Sequence, residues 1–174
     1  MTTIKGSILA IVFLSSLVFA QSAFAANPCT DVVYDGAGVF GSGFKNVESA
    51  AQRLINLGAD VRVVSNKSLE GFDTIDALEE KFEKSCSSWR GVSGGRKANL
   101  IVLMVVPGPM KDGKPTGKSG IYFGGEWSPV LKPNSTWNRV RMDLMGPSFR
   151  RGDWAEGMVI GLNEISRIAD NYLH

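Results

Sequence analysis

The sequence predicts a mixed α/β sandwich, and three observations carry that reading. Asn99–Pro107 holds an unbroken run of seven apolar, mostly branched residues, 100–106, with no charge and no alternation. A strand apolar on both faces must be covered on both faces, as the middle of an α/β sheet is. Upstream, an amphipathic helix and a β-branched strand precede a second amphipathic helix, which sets up a parallel βαβ unit with a right-handed crossover. Downstream, a polar, turn-rich connection too short for a packed helix returns the chain into Gly120–Gly124, which closes an antiparallel hairpin. The expected architecture is a three-layer α/β/α sandwich, with a small mixed sheet covered by about four helices.

Met1–Ala25 reads as a targeting segment. Lys5 supplies the positive start, Ile8–Ala20 the apolar core and Ala23-Phe24-Ala25 a small-x-small cleavage site, the pattern of a cleaved signal peptide. The apolar stretch is shorter than the roughly 20 residues of a membrane span. No later stretch is long enough to cross a bilayer, so no membrane span is expected after cleavage. Residues 26–174 are then expected to form one domain, periplasmic or secreted.

Asn27–Phe40 is expected to pack onto the core around Asp35 without forming a long strand. Ser42 is placed to cap a helix over Gly43–Leu57, with Phe44, Val47, Ala51, Leu54 and Ile55 on one face and Gly58 as its stop. Asp60–Ser65 is a short β-branched strand. Asp73 or Thr74 caps a second helix carrying Ile75, Leu78 and Phe82 and ending near Cys86. Ser87–Lys97 is a Gly-rich loop, and Pro107-Gly108 ends the central strand. Ser135 or Thr136 caps a third helix that stops near Leu144, before Gly146-Pro147. A last helix, about Asp153–Tyr172, has Met158, Leu162, Ile165 and Ala169 on one face.

Charge and composition exclude several functions. The chain carries a formal net charge of +2, of which Lys5 supplies one in the targeting segment. A nearly neutral mature domain gives no electrostatic case for nucleic acid, whose binding needs a clustered basic face. His174 is the only histidine. Ser-His-Asp and Cys-His mechanisms therefore lack a base, and zinc, copper and haem sites lack an imidazole. The two cysteines, Cys29 and Cys86, are expected to pair in an oxidising compartment. The 113–119 stretch, Gly-Lys-Pro-Thr-Gly-Lys-Ser, is one residue short of a phosphate loop and joins two strands, so it reads as a solvated turn. Asn66-Lys-Ser68 and Asn134-Ser-Thr136 match glycosylation signals but equally serve turns and caps.

The succession of motifs resembles a known family. Val33-Tyr-Asp35-Gly-Ala-Gly-Val-Phe40, an amphipathic helix, a Val-Arg-Val-Val strand, a Gly-rich loop into an apolar strand, Gly124-Gly-Glu126, and Pro147-Ser-Phe149-Arg-Arg-Gly152-Asp153-Trp154-Ala-Glu-Gly157 are similar to the TPM domain. That family is named for thylakoid, photosystem II repair and acetylcholine-receptor-modulating proteins. The resemblance implies an extracytoplasmic α/β/α sandwich. It also implies membrane-complex maintenance, calcium binding or, in some members, acid phosphatase activity. The family's acidic opening motif falls on Asp35, and its Gly-x-Gly-x-Glu on Gly124-Gly125-Glu126, one residue shorter. Its Asp-Asn-Gly falls on Lys97-Ala98-Asn99, where an ammonium replaces a carboxylate and would repel a cation.

Two readings of the site follow. In the first, Arg96, Lys97, Asn99 and Glu126 gather at one sheet edge as a binding surface of a non-catalytic accessory protein with an envelope protein partner and no cofactor. In the second, Asp35 and Glu126 ligate calcium or magnesium and Arg96 holds phosphate, giving a weak metal-assisted phosphatase. A purely structural role would pair Glu126 with Lys97 or Arg96 and leave Asp35 to satisfy turn amides.

Overall fold

The computed structural model describes residues 26–112 and 114–174; the expected signal peptide lies outside the described residues. Four strands, β1 (Val33–Asp35), β2 (Asp60–Ser65), β3 (Leu100–Lys111) and β4 (Lys114–Phe123), form one sheet in the order β1-β2-β3-β4. β1, β2 and β3 run parallel, and β4 returns antiparallel along β3. The apolar run at Leu100–Val106 is therefore interior to the sheet, with a neighbour on each side and every one of its residues buried.

Alternation along the strands makes two cores. Val33, Val61, Val63, Ile101, Leu103, Val105 and Ile121 face helices α1 (Phe44–Asn56) and α6 (Trp154–Leu173). Val64, Leu100, Val102, Met104 and Val106 face α2 (Ile75–Ser85), Trp89 and Cys86. The mixed α/β fold, consistent with a sandwich, is thus present but uneven, with one helix on the second face. The connections β1–α1–β2 and β2–α2–β3 step the same way across the sheet on opposite faces. They consequently have opposite hands, and only one follows the right-handed preference.

Local departures from the expected elements have physical causes. Ser42 does not cap α1; it lies in the short turn Gly41–Gly43, and the Asp35 carboxylate takes the amides of Val39 and Phe40 just upstream. Thr74 does cap α2, its Oγ1 accepting from the Ala77 amide at 3.1 Å. β3 does not end at Pro107. It continues to Lys111 through a register shift between Pro107 and Met110. Gly108 faces the Thr116 backbone so closely that a Cβ could not fit, which lets the hairpin arms close beyond the proline. The 114–119 part of the phosphate-loop-like stretch is thereby strand.

The expected third helix starts at Thr136 as predicted but runs on past Leu144: α4 (Thr136–Arg139) passes through a π-helical turn over Val140–Met145 into α5 (Gly146–Arg151), and ahead of it lie a short α3 (Ser128–Leu131) and left-handed Asn134 and Ser135. Gly146-Pro147 does not stop the chain, because Pro147 falls in the first turn of α5, where a missing amide hydrogen costs nothing. Gly152, at φ 85°, ends α5 and turns the chain into α6.

Candidate functional site

Asp35 sits at the carboxyl end of β1, level with Ser65 on β2 and Val105 on β3. Its Oδ1 accepts from the Val39 amide at 3.0 Å and from the Ser65 hydroxyl, and its Oδ2 from the Phe40 amide at 2.9 Å. Ser65 Oγ in turn accepts from the Ala37 amide at 3.1 Å. The Asp35–Phe40 turn is closed by this network, which uses three of the carboxylate's roughly four lone-pair directions. Beside it, Asn66 is nearly buried and donates to the Ser68 carbonyl and Glu70 Oε1, both at 2.9 Å, which is a turn role. Ser65 was not singled out from the sequence, because only the parallel register brings it to Asp35.

Arg96, Lys97, Asn99 and Glu126 gather at the opposite edge, where β3 begins and β4 ends. Gly124 makes that meeting close: a Cβ there would collide with the carbonyls of Lys97 and Ala98. The Glu126 amide donates to the Ala98 carbonyl at 3.0 Å. The side chains do not pair as a Glu126 bridge would require. Lys97 Nζ reaches Asp60 Oδ2 at 2.8 Å, and Arg96 Nη2 reaches Glu79 and Glu83 on α2, each at 2.8 Å. Asn99 Nδ2 donates to the Gly58 carbonyl at 2.9 Å, and the Asn99 carbonyl accepts from Trp127 Nε1 at 3.0 Å. Glu126 is exposed and in no ion pair with a described residue. The surface bridge considered from the sequence is therefore corrected: α2 lies over this edge and takes Arg96, while β2 takes Lys97.

Asp35 and Glu126 do not share a site. Leu100 and Val105 alone are separated by about 17 Å along β3, at roughly 3.3 Å per residue, and the two carboxylates lie at or beyond those ends. Gly36–Gly43 does not cross back to join them. No group of three or more carboxylate, cysteine or histidine side chains among the described residues converges on a metal-sized point. The residues present do not fit one calcium or magnesium ion held by Asp35 and Glu126.

Burial perturbs one carboxylate at the β3 start. Glu79 is 2% exposed. Desolvation pushes its pKa up to about 7, opposed by the Arg96 charge and assisted by Glu83 and Asp76. Tyr122, hydrogen-bonded through its hydroxyl to Asp76 at 2.7 Å, has its pKa raised mainly by burial and then by that carboxylate.

Cys29 and Cys86 form a disulfide, with Cα atoms 5.0 Å apart and a separation of 57 positions in sequence. No helix among the described residues is long and apolar enough to cross a membrane.

A four-stranded mixed sheet, two apolar faces and these two polar edges define an α/β domain of disulfide-bonded type. A family model for the TPM domain matches residues 33–168, and the chain belongs to the TPM-domain family. Among solved structures, the fold is similar to the N-terminal domain of a P. gingivalis protein determined by solution NMR. The identity is 22% and the TM-score 0.58, over 83% of this chain and 85% of that one. It is also similar to the N-terminal domain of a Corynebacterium glutamicum protein, at 17% identity and TM-score 0.52 over 91% and 86% of the two chains. No curated protein matches the chain.

Proposed function

We propose that this TPM domain is an exported binding or accessory module that works at the cell envelope, on a protein partner, without catalysis of its own. The observation that carries this reading is the separation of Asp35 from Glu126 on opposite sheet edges. The other candidate side chains are committed to internal bonds: Arg96 to α2, Lys97 to Asp60 and Asn99 to Gly58. The alternative, metal-assisted phosphatase chemistry, needs both carboxylates on one ion. The disulfide supports an extracytoplasmic location, since such bonds persist in oxidising compartments. Cleavage after Ala25 and export to the periplasm or medium belong to the same proposal.

The test has two arms. Pull-down from envelope extracts is expected to recover a reproducible protein partner, and repeated recovery of none would sink the reading. Hydrolysis of a chromogenic phosphate ester with calcium, magnesium or chelator is expected to stay at background. Turnover abolished by Glu126→Ala in a still-folded protein would establish the phosphatase instead.

A further inference from the structure

We infer that a cavity between the edge strand β4 and the π-helical turn is a binding site for a small amphiphile with an oxyanion head. The cavity measures about 320 Å³ and is lined by Gly117, Lys118 and Ser119 of β4, Ile75 of α2, and Arg141, Met142, Gly146, Phe149, Arg150 and Trp154. That volume lies at the small end of the roughly 300–1,000 Å³ range of small-molecule sites.

Its chemistry divides into a cationic rim and an apolar wall. Lys118, Arg141 and Arg150 are in no ion pair with a described residue, whereas neighbouring Arg139 and Arg151 are each paired, with Glu164 and with Asp153 and Glu156. Arg141 is held in place by neutral groups, Nη1 donating to the Ser119 carbonyl at 3.1 Å and Nη2 to Asn138 Oδ1 at 2.9 Å, with its guanidinium over the Trp137 ring. Asp76, in the adjoining cavity, is occupied by the Tyr122 hydroxyl. The apolar wall is Ile75, Phe149 and Trp154, the last two rings stacked 5.1 Å apart, and Met142 is left 47% exposed at the mouth. Three cations without acidic partners favour an oxyanion, and an exposed methionine lining the same cavity as two aromatic rings favours an apolar body attached to it.

The backbone supplies a separate observation. Arg141 and Met142 belong to the π-helical turn Val140–Met145, a rare geometry that recurs at functional sites. Here it sets both residues toward one cavity. Gly117 is part of the same construction, since a Cβ there would meet the Trp154 ring at 2.8 Å and push out the wall.

This inference rests on the binding reading only in that the ligand is held and not turned over. The experiment titrates the purified protein with hexanoate and with hexyl phosphate, which share the amphiphile chemistry and differ in head group. Hexanol and inorganic phosphate serve as the headless and tailless controls, followed by amide and indole NMR shifts. Expected are shifts confined to the Trp154 indole and residues 117–119 and 141–150, and affinity at least tenfold above both controls. The better head identifies the source. Lys118→Glu and Arg150→Glu, at exposed positions where folding is undisturbed, should each weaken binding about tenfold or more. No binding of either amphiphile, shifts elsewhere, or affinity unchanged from the parent in both variants would overturn the site. Release of inorganic phosphate from hexyl phosphate, lost in Arg150→Glu, would keep the site and overturn the non-catalytic reading instead.

Discussion

Arg96 and Glu79 are joined through a single nitrogen: Nη2 donates to both carboxylate oxygens, at 3.0 and 2.8 Å, and also contacts Glu83 at 2.8 Å. One guanidinium nitrogen thus serves two carboxylates, one of them almost fully buried, while Arg96 Nε is buried without a partner. Attraction divided in this way does not offset desolvation, so the Glu79 carboxyl titrates near 7 in the folded protein.

The sign of the resulting pH dependence is opposite to the usual carboxylate case. A raised folded pKa means that the native state holds a proton the unfolded chain has released. The stabilisation is fully present below the ordinary value of 4.5 and is lost as pH rises through about 7. Its ceiling is roughly 3 kcal/mol, since each tenfold gain in proton affinity is worth about 1.4 kcal/mol. Thermal melts should show falling stability between pH 5 and pH 8, and Glu79→Gln, which mimics the protonated group, should flatten that slope. An unchanged slope in the variant would refute the assignment.

Glu164 behaves in the ordinary direction. Hydrogen bonding from Arg167, then from Arg139, holds its carboxyl down at about 2, so its contribution is present above 4.5 and lost as pH falls through 2. Both arginines are largely exposed, at 45% and 60%, which limits the pairs to about 1 kcal/mol in total. Glu164→Gln should cost that much at pH 7 and nothing near pH 2, read from denaturant midpoints.

The disulfide should leave no free thiol in the unfolded, unreduced protein. Closing a 57-residue loop is worth about 4 kcal/mol in the chain-entropy account. Cys86 is also buried against Phe82 and Trp89, in the smaller of the two cores. Reduction or Cys29→Ser, which leaves the Cys86 packing intact, should lower stability by about that figure. Two titratable thiols in the native preparation would contradict the pairing.

What the sequence made legible was whatever local pattern dictates. The seven-residue apolar run, the helical faces of Val47–Leu54 and Leu78–Phe82, the hairpin and the cysteine pair all followed from spacing and from an expected oxidising compartment. Long-range packing governed the rest. β3 outruns Pro107 because Gly108 and Gly117 sit against the partner arm, a fact about pairing and not about the proline. The helix from Thr136 shifts into a π turn and outruns Gly146-Pro147 to Arg151 along the β4 edge, where helical periodicity carries no warning. At the candidate edge, proximity of Arg96, Lys97, Asn99 and Glu126 was legible, but the partners were not. Those lie on α2 and β2, and only the stacking of α2 over the second face delivers Glu79 and Glu83 to Arg96.

Calcium tests the remaining expectation for Glu126. The family resemblance aligns this residue with a position of its acidic motif, yet its side chain is exposed and in no ion pair with a described residue, and only its amide is engaged, with Ala98. Lys97 stands nearby in place of the family's carboxylate, and its ammonium is held by Asp60, which is also 2.6 Å from Arg62. A cation at this edge would find the neighbouring carboxylates Asp60, Glu79 and Glu83 already held by Lys97 and Arg96. An exposed glutamate without a partner contributes little to stability, so Glu126→Gln should fall within about 0.5 kcal/mol of the parent. A bound ion would behave otherwise, raising stability by about 2.7 kcal/mol at a hundredfold excess over its dissociation constant. The melting temperature is therefore expected to stay flat in millimolar calcium for both proteins. A climb with calcium in the parent, missing in Glu126→Gln, would place a cation site at this edge and reverse the reading of Lys97 as its antagonist.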